Sequence, residues 1–290
     1  MHTVRTRAAF PGTAHVGSAV LGSSLTFAGE WRTRMNGSFD GRSVIVTGGA
    51  QGIGAAVATA FAHEGATTFL VDLDADRAET LASSLRDRDL DATALVVDVT
   101  DTDAVNRMAS QVQERTGRID VLVTSAGGFS EGILTEDIGD AQWAHSIDLN
   151  LGHVFRCCRA VIPSMKAAGY GRIITVSSEG ARMPLTRGRA KNFGPYLAAK
   201  AGVIGFTRHL ARELGPDGIT ANVVAPGTTL SERVRGLHSP EAIDRLAELT
   251  PLQRLAEPDD HVGPILFLAS DAAQYVNGGT LDSNGGRVML

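Results

Sequence analysis

The chain has 290 residues, 43% hydrophobic and 20% charged, enough apolar sequence for one large core. Its net charge of −5 excludes a general basic field that would attract nucleic acid or an anionic membrane. No apolar run approaches the roughly 20 residues of a membrane-spanning helix, and no His/Cys spacing suggests zinc, so neither a membrane nor a metal is expected. The two cysteines, Cys157 and Cys158, are neighbours that point in different directions on a helical stretch, which removes an intramolecular disulfide.

Residues 1–34 carry Arg5, Arg7, Arg32 and Arg34 against the single acid Glu30. A transit-like presequence fits the arginine bias. A secretory signal fits poorly, because 16–28 is broken by Gly and Ser. The third reading, a disordered N-terminal extension or a start at Met35, is favoured because the residues after Met35 lead directly into a strand. The catalytic domain is then 35–290, and removing 1–34 is expected to leave activity and stability unchanged. From residue 42 strands and helices alternate. Strands are predicted over 43–47, 67–71, 92–97, 119–124, 172–177, 219–224 and 279–281. Helices are predicted over 52–63, 74–85 (with Asp74 as N-cap), 100–116, 141–168 as one long region, 196–214, 239–249 and 259–270. Such alternation implies right-handed βαβ units: a single-domain, doubly wound α/β fold with a parallel sheet and its site at the carboxyl ends of the strands.

Between the first strand and helix stands Gly48-x-x-x-Gly52-x-Gly54, with Gln51 and Ile53 inside it. Glycines there permit a tight turn and a close approach of backbone to a pyrophosphate at a helix N-terminus. A glycine-rich turn without a ligand is the alternative. Asp72, ending the second strand, can accept from a ribose 2′-hydroxyl and repel a 2′-phosphate; a helix cap or a solvated acid is the alternative. No cation lies within 48–54 or at 73, and Arg77 is expected to face solvent, so NAD is the expected cofactor. Asp98, followed by Val99 at the end of the third strand, is placed to meet the adenine amino group or to cap the next helix.

Tyr196 and Lys200 share a helix face one turn apart. An ammonium beside a phenol favours the phenolate and draws its pKa down from about 10. Alone the pair is weak, since helix surfaces produce it often. Downstream of a dinucleotide turn it points to hydride transfer with a tyrosine handling the proton.

Residues 41–290 resemble the short-chain dehydrogenase/reductase family, a Rossmann-type fold. The matching pieces are 47–54, Asp98, Ala126-Gly127, Asn150-Leu151-Gly152, Ser177-Ser178, Tyr196-x-x-x-Lys200, Pro226-Gly227, Phe267-Leu268-Ala269-Ser270-Asp271 and Gly285-Gly286. The resemblance implies that Tyr196 is the acid/base, that Lys200 lowers its pKa and bonds the nicotinamide ribose, and that Ser178 holds the substrate oxygen. It implies that Asn150 supports a water-linked proton path, that Ala126 and Gly127 line the cofactor, and that Pro226, Gly227 and Thr228 lie beside the nicotinamide. It also implies a homodimer or homotetramer built on the helices around 146–168 and 196–214. The sequence departs from the family at Thr124-Ser125, where two asparagines are usual, and in a longer loop between Ser178 and Tyr196. The expected enzyme is a cytoplasmic, NAD-dependent oxidoreductase acting on a small secondary alcohol or ketone. The alternatives are an NADPH-dependent 3-oxoacyl thioester reductase and a non-catalytic dinucleotide sensor. Arg182, Arg187, Arg189 and Lys191 in the long loop suggest either a cationic rim for an anionic substrate or a solvated loop. The segment 228–250 is expected to cover the substrate.

Overall fold

The computed structural model describes residues 39–129, 133–183 and 193–290. The readings of 1–34 and of Arg187, Arg189 and Lys191 fall outside these residues. Seven strands form one sheet: β1 Ser43–Thr47, β2 Thr67–Asp72, β3 Ala92–Val96, β4 Val121–Thr124, β5 Gly171–Val176, β6 Ile219–Pro226 and β7 Thr280–Ser283. Their order is β3-β2-β1-β4-β5-β6-β7, and every pairing is parallel. The chain moves outward from β1 in one direction and then returns to start again at β4. The two strands adjoin with Thr47 opposite Thr124, so their carboxyl ends open a crevice where a parallel sheet takes its ligand.

The helices are α1 Gly52–His63, α2 Ala75–Arg86, α3 Thr102–Thr116, α4 Asp140–Ile147, α5 His153–Ala168, α6 Glu179–Arg182, α7 Gly194–Leu214, α8 Glu232–Leu237, α9 Pro240–Glu248 and α10 Val262–Ala269. Strand side chains alternate between two cores. Ile45, Phe69, Leu122 and Ile173 pack with α3, α5 and α7 through Val105, Met108, Val154, Val161, Val203 and Leu210. Val44, Val46, Leu70, Val121 and Val123 pack on the other face with Val57, Phe61, Ala82 and Ile265 of α1, α2 and α10. Both faces are therefore covered, which explains why the strands read as unbroken apolar runs.

The doubly wound expectation holds, and most element ends move by a residue or two. Asp74 caps α2 by accepting from Arg77 N at 3.1 Å. Three differences matter. The long helical region is interrupted by a π turn, Asp148–Gly152, between α4 and α5. The predicted helix over 259–270 is a 3₁₀ turn, Pro258–His261, followed by α10. Two short helices, α6 and α8, stand where only loops were expected, each after a serine cap: Ser178 accepts from Gly180 N and Ser231 from Val234 N.

Candidate active site

The turn after β1 brings Gly48 against the loop after β4. A Cβ on Gly48 would lie 2.9 Å from the Ala126 backbone, and one on Gly54 would strike the Gly48 carbonyl oxygen. Gly48 also takes φ +65, a conformation that side chains resist. The turn can close this tightly only because both are glycines. Helix α1 then starts at Gly52 with Gln51 in extended conformation, no side-chain cap and no acid in its first turn. Its first N–H groups and the positive end of its dipole face the crevice. Gly52 is open, its nearest neighbour being Ser231 Cβ at 3.8 Å from a Cβ placed there.

Asp72 ends β2 beside this turn. One carboxylate oxygen accepts from Ala50 N at 3.0 Å, the other from Asp74 N at 3.2 Å. Arg77 is exposed, as expected, and donates to Gln51 Oε1 at 3.3 Å and to Glu232 Oε2 at 2.7 Å. Its pKa is raised by Glu232 first, through a hydrogen bond and charge. Asp98 is exposed. Its Oδ1 accepts from Thr100 N and Oγ1, which hold its carboxyl below the usual range. The cap of α3 is Asp101, not Asp98, while Val99 is buried.

At the carboxyl ends of β4 and β5 the remaining candidates meet. Ala126 N donates to Thr47 Oγ1 at 3.2 Å. Asn150, fully buried in the π turn, accepts from Gly128 N at 3.0 Å and donates to Gly128 O and Ser146 O, each at 2.9 Å. Its side chain is thus spent on propping the loop after β4. Gly127 lies between Asn150 Oδ1 and Lys200 Nζ, which a Cβ there would approach to 2.6 and 3.5 Å.

Ser177 and Ser178 diverge as strand alternation requires. Ser177 Oγ is buried and donates to Lys200 O at 2.7 Å, while Ser178 Oγ accepts from Gly180 N at 3.2 Å. Lys200 is buried and donates through Nζ to Val176 O at 2.8 Å, 5.8 Å from the Tyr196 ring centre. Burial pulls the Lys200 pKa down to about 8. Burial also pushes the Tyr196 phenol up, with the Ser178 hydroxyl and the Arg233 charge pulling the other way. Lys200 is not among the charges acting on the phenol here, its ammonium being turned to a backbone carbonyl.

Several site residues escaped the sequence reading. Phe129 packs edge-on against Tyr196 at 5.6 Å and Phe193 at 4.7 Å, making an aromatic wall beside the phenol. Arg233 of α8 lies 5.1 Å over Phe129 and donates to its carbonyl. The segment 228–250 therefore sets a cation against this aromatic wall. The long loop's own Arg182 does not supply a free charge. It pairs with Asp282 of β7 at 3.1 Å and donates to Leu290 O, which corrects its place in a cationic rim. Proximity in sequence to Ala126-Gly127 and to Tyr196 was the available signal for Phe129 and Phe193; for Arg233 there was none.

The order of these features along the chain is matched by a family model described as enoyl-(acyl carrier protein) reductase, over residues 48–287. The chain belongs to the short-chain dehydrogenase/reductase family. It is 36% identical over 262 residues to D-threitol dehydrogenase of Mycolicibacterium smegmatis, covering 90% of this chain and 98% of that one. It is 35% identical over 253 residues to the 3-oxoacyl-[acyl-carrier-protein] reductase FabG of Escherichia coli, covering 87% and 100%. The crystal structure of gox2181 superposes with a TM-score of 0.83 at 36% identity, over 89% of this chain and 98% of that one. This short-chain family member is accordingly an oxidoreductase of small molecules that works with a nicotinamide dinucleotide. None of its described helices is long and apolar enough to cross a membrane, and its described residues contain no cluster able to hold a metal ion.

Proposed function

We propose that the protein is an NAD-preferring dehydrogenase that interconverts a secondary alcohol and its ketone. The observation that carries this reading is the meeting of Tyr196 and Lys200, whose Nζ lies 5.8 Å from the phenol ring centre, with Ser178 at the carboxyl end of β5. The glycine turn fits the cofactor. Gly48 and Gly54 leave no room for side chains, Gly52 is open, and α1 presents an uncapped positive end. Gly48, Gln51, Gly52, Ile53 and Gly54 would hold the diphosphate, Asp72 the adenosine ribose, and Asp98 with Val99 the adenine. Ala126, Gly127, Lys200, Pro226, Gly227 and Thr228 would hold the nicotinamide half. Bound there, the dinucleotide supplies the hydride acceptor or donor. Tyr196 takes or gives the proton at the substrate oxygen, and Ser178 holds that oxygen by a hydrogen bond. The role of Asn150 is to hold the Gly127-Gly128 turn against Lys200.

Asp72 supports NAD, because a carboxylate repels a 2′-phosphate. An NADPH-dependent 3-oxoacyl reductase is the second reading. It is favoured by the placement of Arg77 beside the turn and by the similarity to the Escherichia coli reductase. The substrate is an alcohol or ketone small enough to sit against Phe129 and Tyr196. The exposed Trp143 and Phe155 on α4 and α5, with Phe155 packed on Phe206 of α7, support a homodimer or homotetramer through those helices. The buried free thiols of Cys157 and Cys158 agree with a reducing, cytoplasmic setting.

The test is a screen of polyols, simple secondary alcohols, their ketones and 3-oxoacyl thioesters with NAD(H) and NADP(H), followed by nicotinamide absorbance. Tyr196→Phe should keep the fold and cofactor binding and lose turnover by ~10²–10⁴-fold. A variant with near-normal turnover would refute the proton-transfer assignment.

A further inference from the structure

Directly after Ser178 stands Glu179, whose side chain reaches the loop that follows β6. Its Oε1 accepts from Thr228 N at 3.2 Å, from Thr228 Oγ1 at 3.4 Å and from Arg287 Nη1 at 3.3 Å. Arg287 also donates to Thr228 Oγ1 at 3.1 Å. The side chains are nearly inaccessible, 4% exposed for Glu179 and 10% for Arg287. Glu179 Oε2 has no hydrogen-bond partner and lies beside Gly227, 3.4 Å from where a Cβ would sit. The neighbouring charges, Arg182 and Asp282, pair with each other.

Stability does not account for this arrangement. A buried ion pair seldom outperforms apolar residues of the same volume, because desolvating both charges offsets their attraction. Burial raises the Glu179 carboxyl, with Arg287 and the Thr228 contacts opposing. What the carboxylate does hold is a backbone N–H of a loop at the ligand end of the sheet. Strands β5 and β6 are hydrogen-bonded neighbours with Val176 opposite Val224, so Ser178 and Thr228 emerge side by side. A dinucleotide with its diphosphate on the turn after β1 brings its reacting end toward the loops after β5 and β6.

We propose that Glu179 and Arg287 are positioning residues that tie the Ser178 turn to the loop of Gly227 and Thr228, and so set where the nicotinamide rests relative to Ser178 and Tyr196. This rests on the dinucleotide reading above, and the test separates the two. NADH and ADP-ribose are titrated calorimetrically into the full chain; ADP-ribose shares the adenosine and diphosphate but lacks the nicotinamide. If the chain prefers NADPH, that ligand and 2′-phospho-ADP-ribose replace them.

In Glu179→Ala/Arg287→Met, which leaves no unpaired buried charge, the dinucleotide should bind about tenfold more weakly, since small misplacements at a reacting centre are costly. The ADP-ribose fragment should bind as to the wild type. Glu179→Gln keeps a carbonyl acceptor for Thr228 N and should bind both normally. If the double variant does not fold by its thermal midpoint, Arg287→Lys carries the same expectation at about threefold, because an ammonium cannot span both partners as the guanidinium does. Equal weakening of both ligands, or unchanged dinucleotide affinity, would overturn the proposal. A wild-type chain that binds neither ligand would refute the dinucleotide reading instead.

Discussion

Both oxygens of Asp72 are already held by backbone N–H groups at 3.0 and 3.2 Å, so the carboxylate is fixed in place before any ribose arrives. Arg77 is the cation that a 2′-phosphate would recruit, yet Glu232, Asp74 and Gln51 share it. The proposed preference for NAD rests on the balance between these two residues. Asp72→Ala should narrow the preference for NAD(H) over NADP(H), because it removes a repulsion. Glu232→Ala should act in the same direction, because it frees the guanidinium. Ratios of kcat/KM for the two cofactors check both. A wild-type ratio that already favours NADP(H) would defeat the preference itself.

At the scale of elements, the junction of β1 with α1 is the most constrained. A Cβ at Gly54 meets the Gly48 carbonyl, so the helix would have to move away from the strand. Gly54→Ala should therefore weaken cofactor binding by about tenfold or more and lower the thermal midpoint, measured by calorimetric titration and thermal melting. This junction was legible in the sequence because glycine spacing after a β-branched run reports backbone geometry directly. The π turn at Asp148–Gly152 was not. Its Asn150 bonds Gly128 across the crevice, and periodicity along 141–168 contains no trace of that partner. The contact of Glu179 with Arg287 was invisible for a related reason: the two residues come together only when β7 and the tail fold back along β6. The alternation of strands and helices, by contrast, needed only local apolar patterns, and it led to the right sheet.

For the molecule as a whole, two buried histidines weaken the fold as pH falls. Burial pulls His153 down to about 3 and His261 to about 4. His261 bridges Thr229 Oγ1 and Ser283 Oγ, each at 2.8 Å, which joins the loop after β6 to the end of β7. The unfolded chain takes up these protons near pH 6.5, while the folded chain refuses them. Stability from this source is complete above pH 6.5. It declines as pH falls through 6.5 toward 4, by up to about 1.4 kcal/mol per pH unit for each histidine. Asp260, held down to about 2 chiefly by Arg254, acts in the same direction but only below its unfolded value near 3.8. The thermal midpoint should therefore drop between pH 6.5 and 4, and His261→Gln should flatten that dependence while lowering stability at neutral pH. An unchanged slope in the variant would rule His261 out.

The uncapped start of α1 has a practical consequence. With no side-chain cap from Gln51 and no acid in the first turn, the helix supplies no counter-charge of its own, and any small dianion is a candidate to occupy its end. Sulfate and inorganic phosphate should therefore inhibit competitively against the dinucleotide and not against the alcohol, whereas chloride at equal ionic strength should do little. Initial rates in matched sulfate and chloride buffers check this; identical inhibition by the two salts would indicate ordinary screening. Buffer choice thus enters any comparison of cofactor affinities for this enzyme.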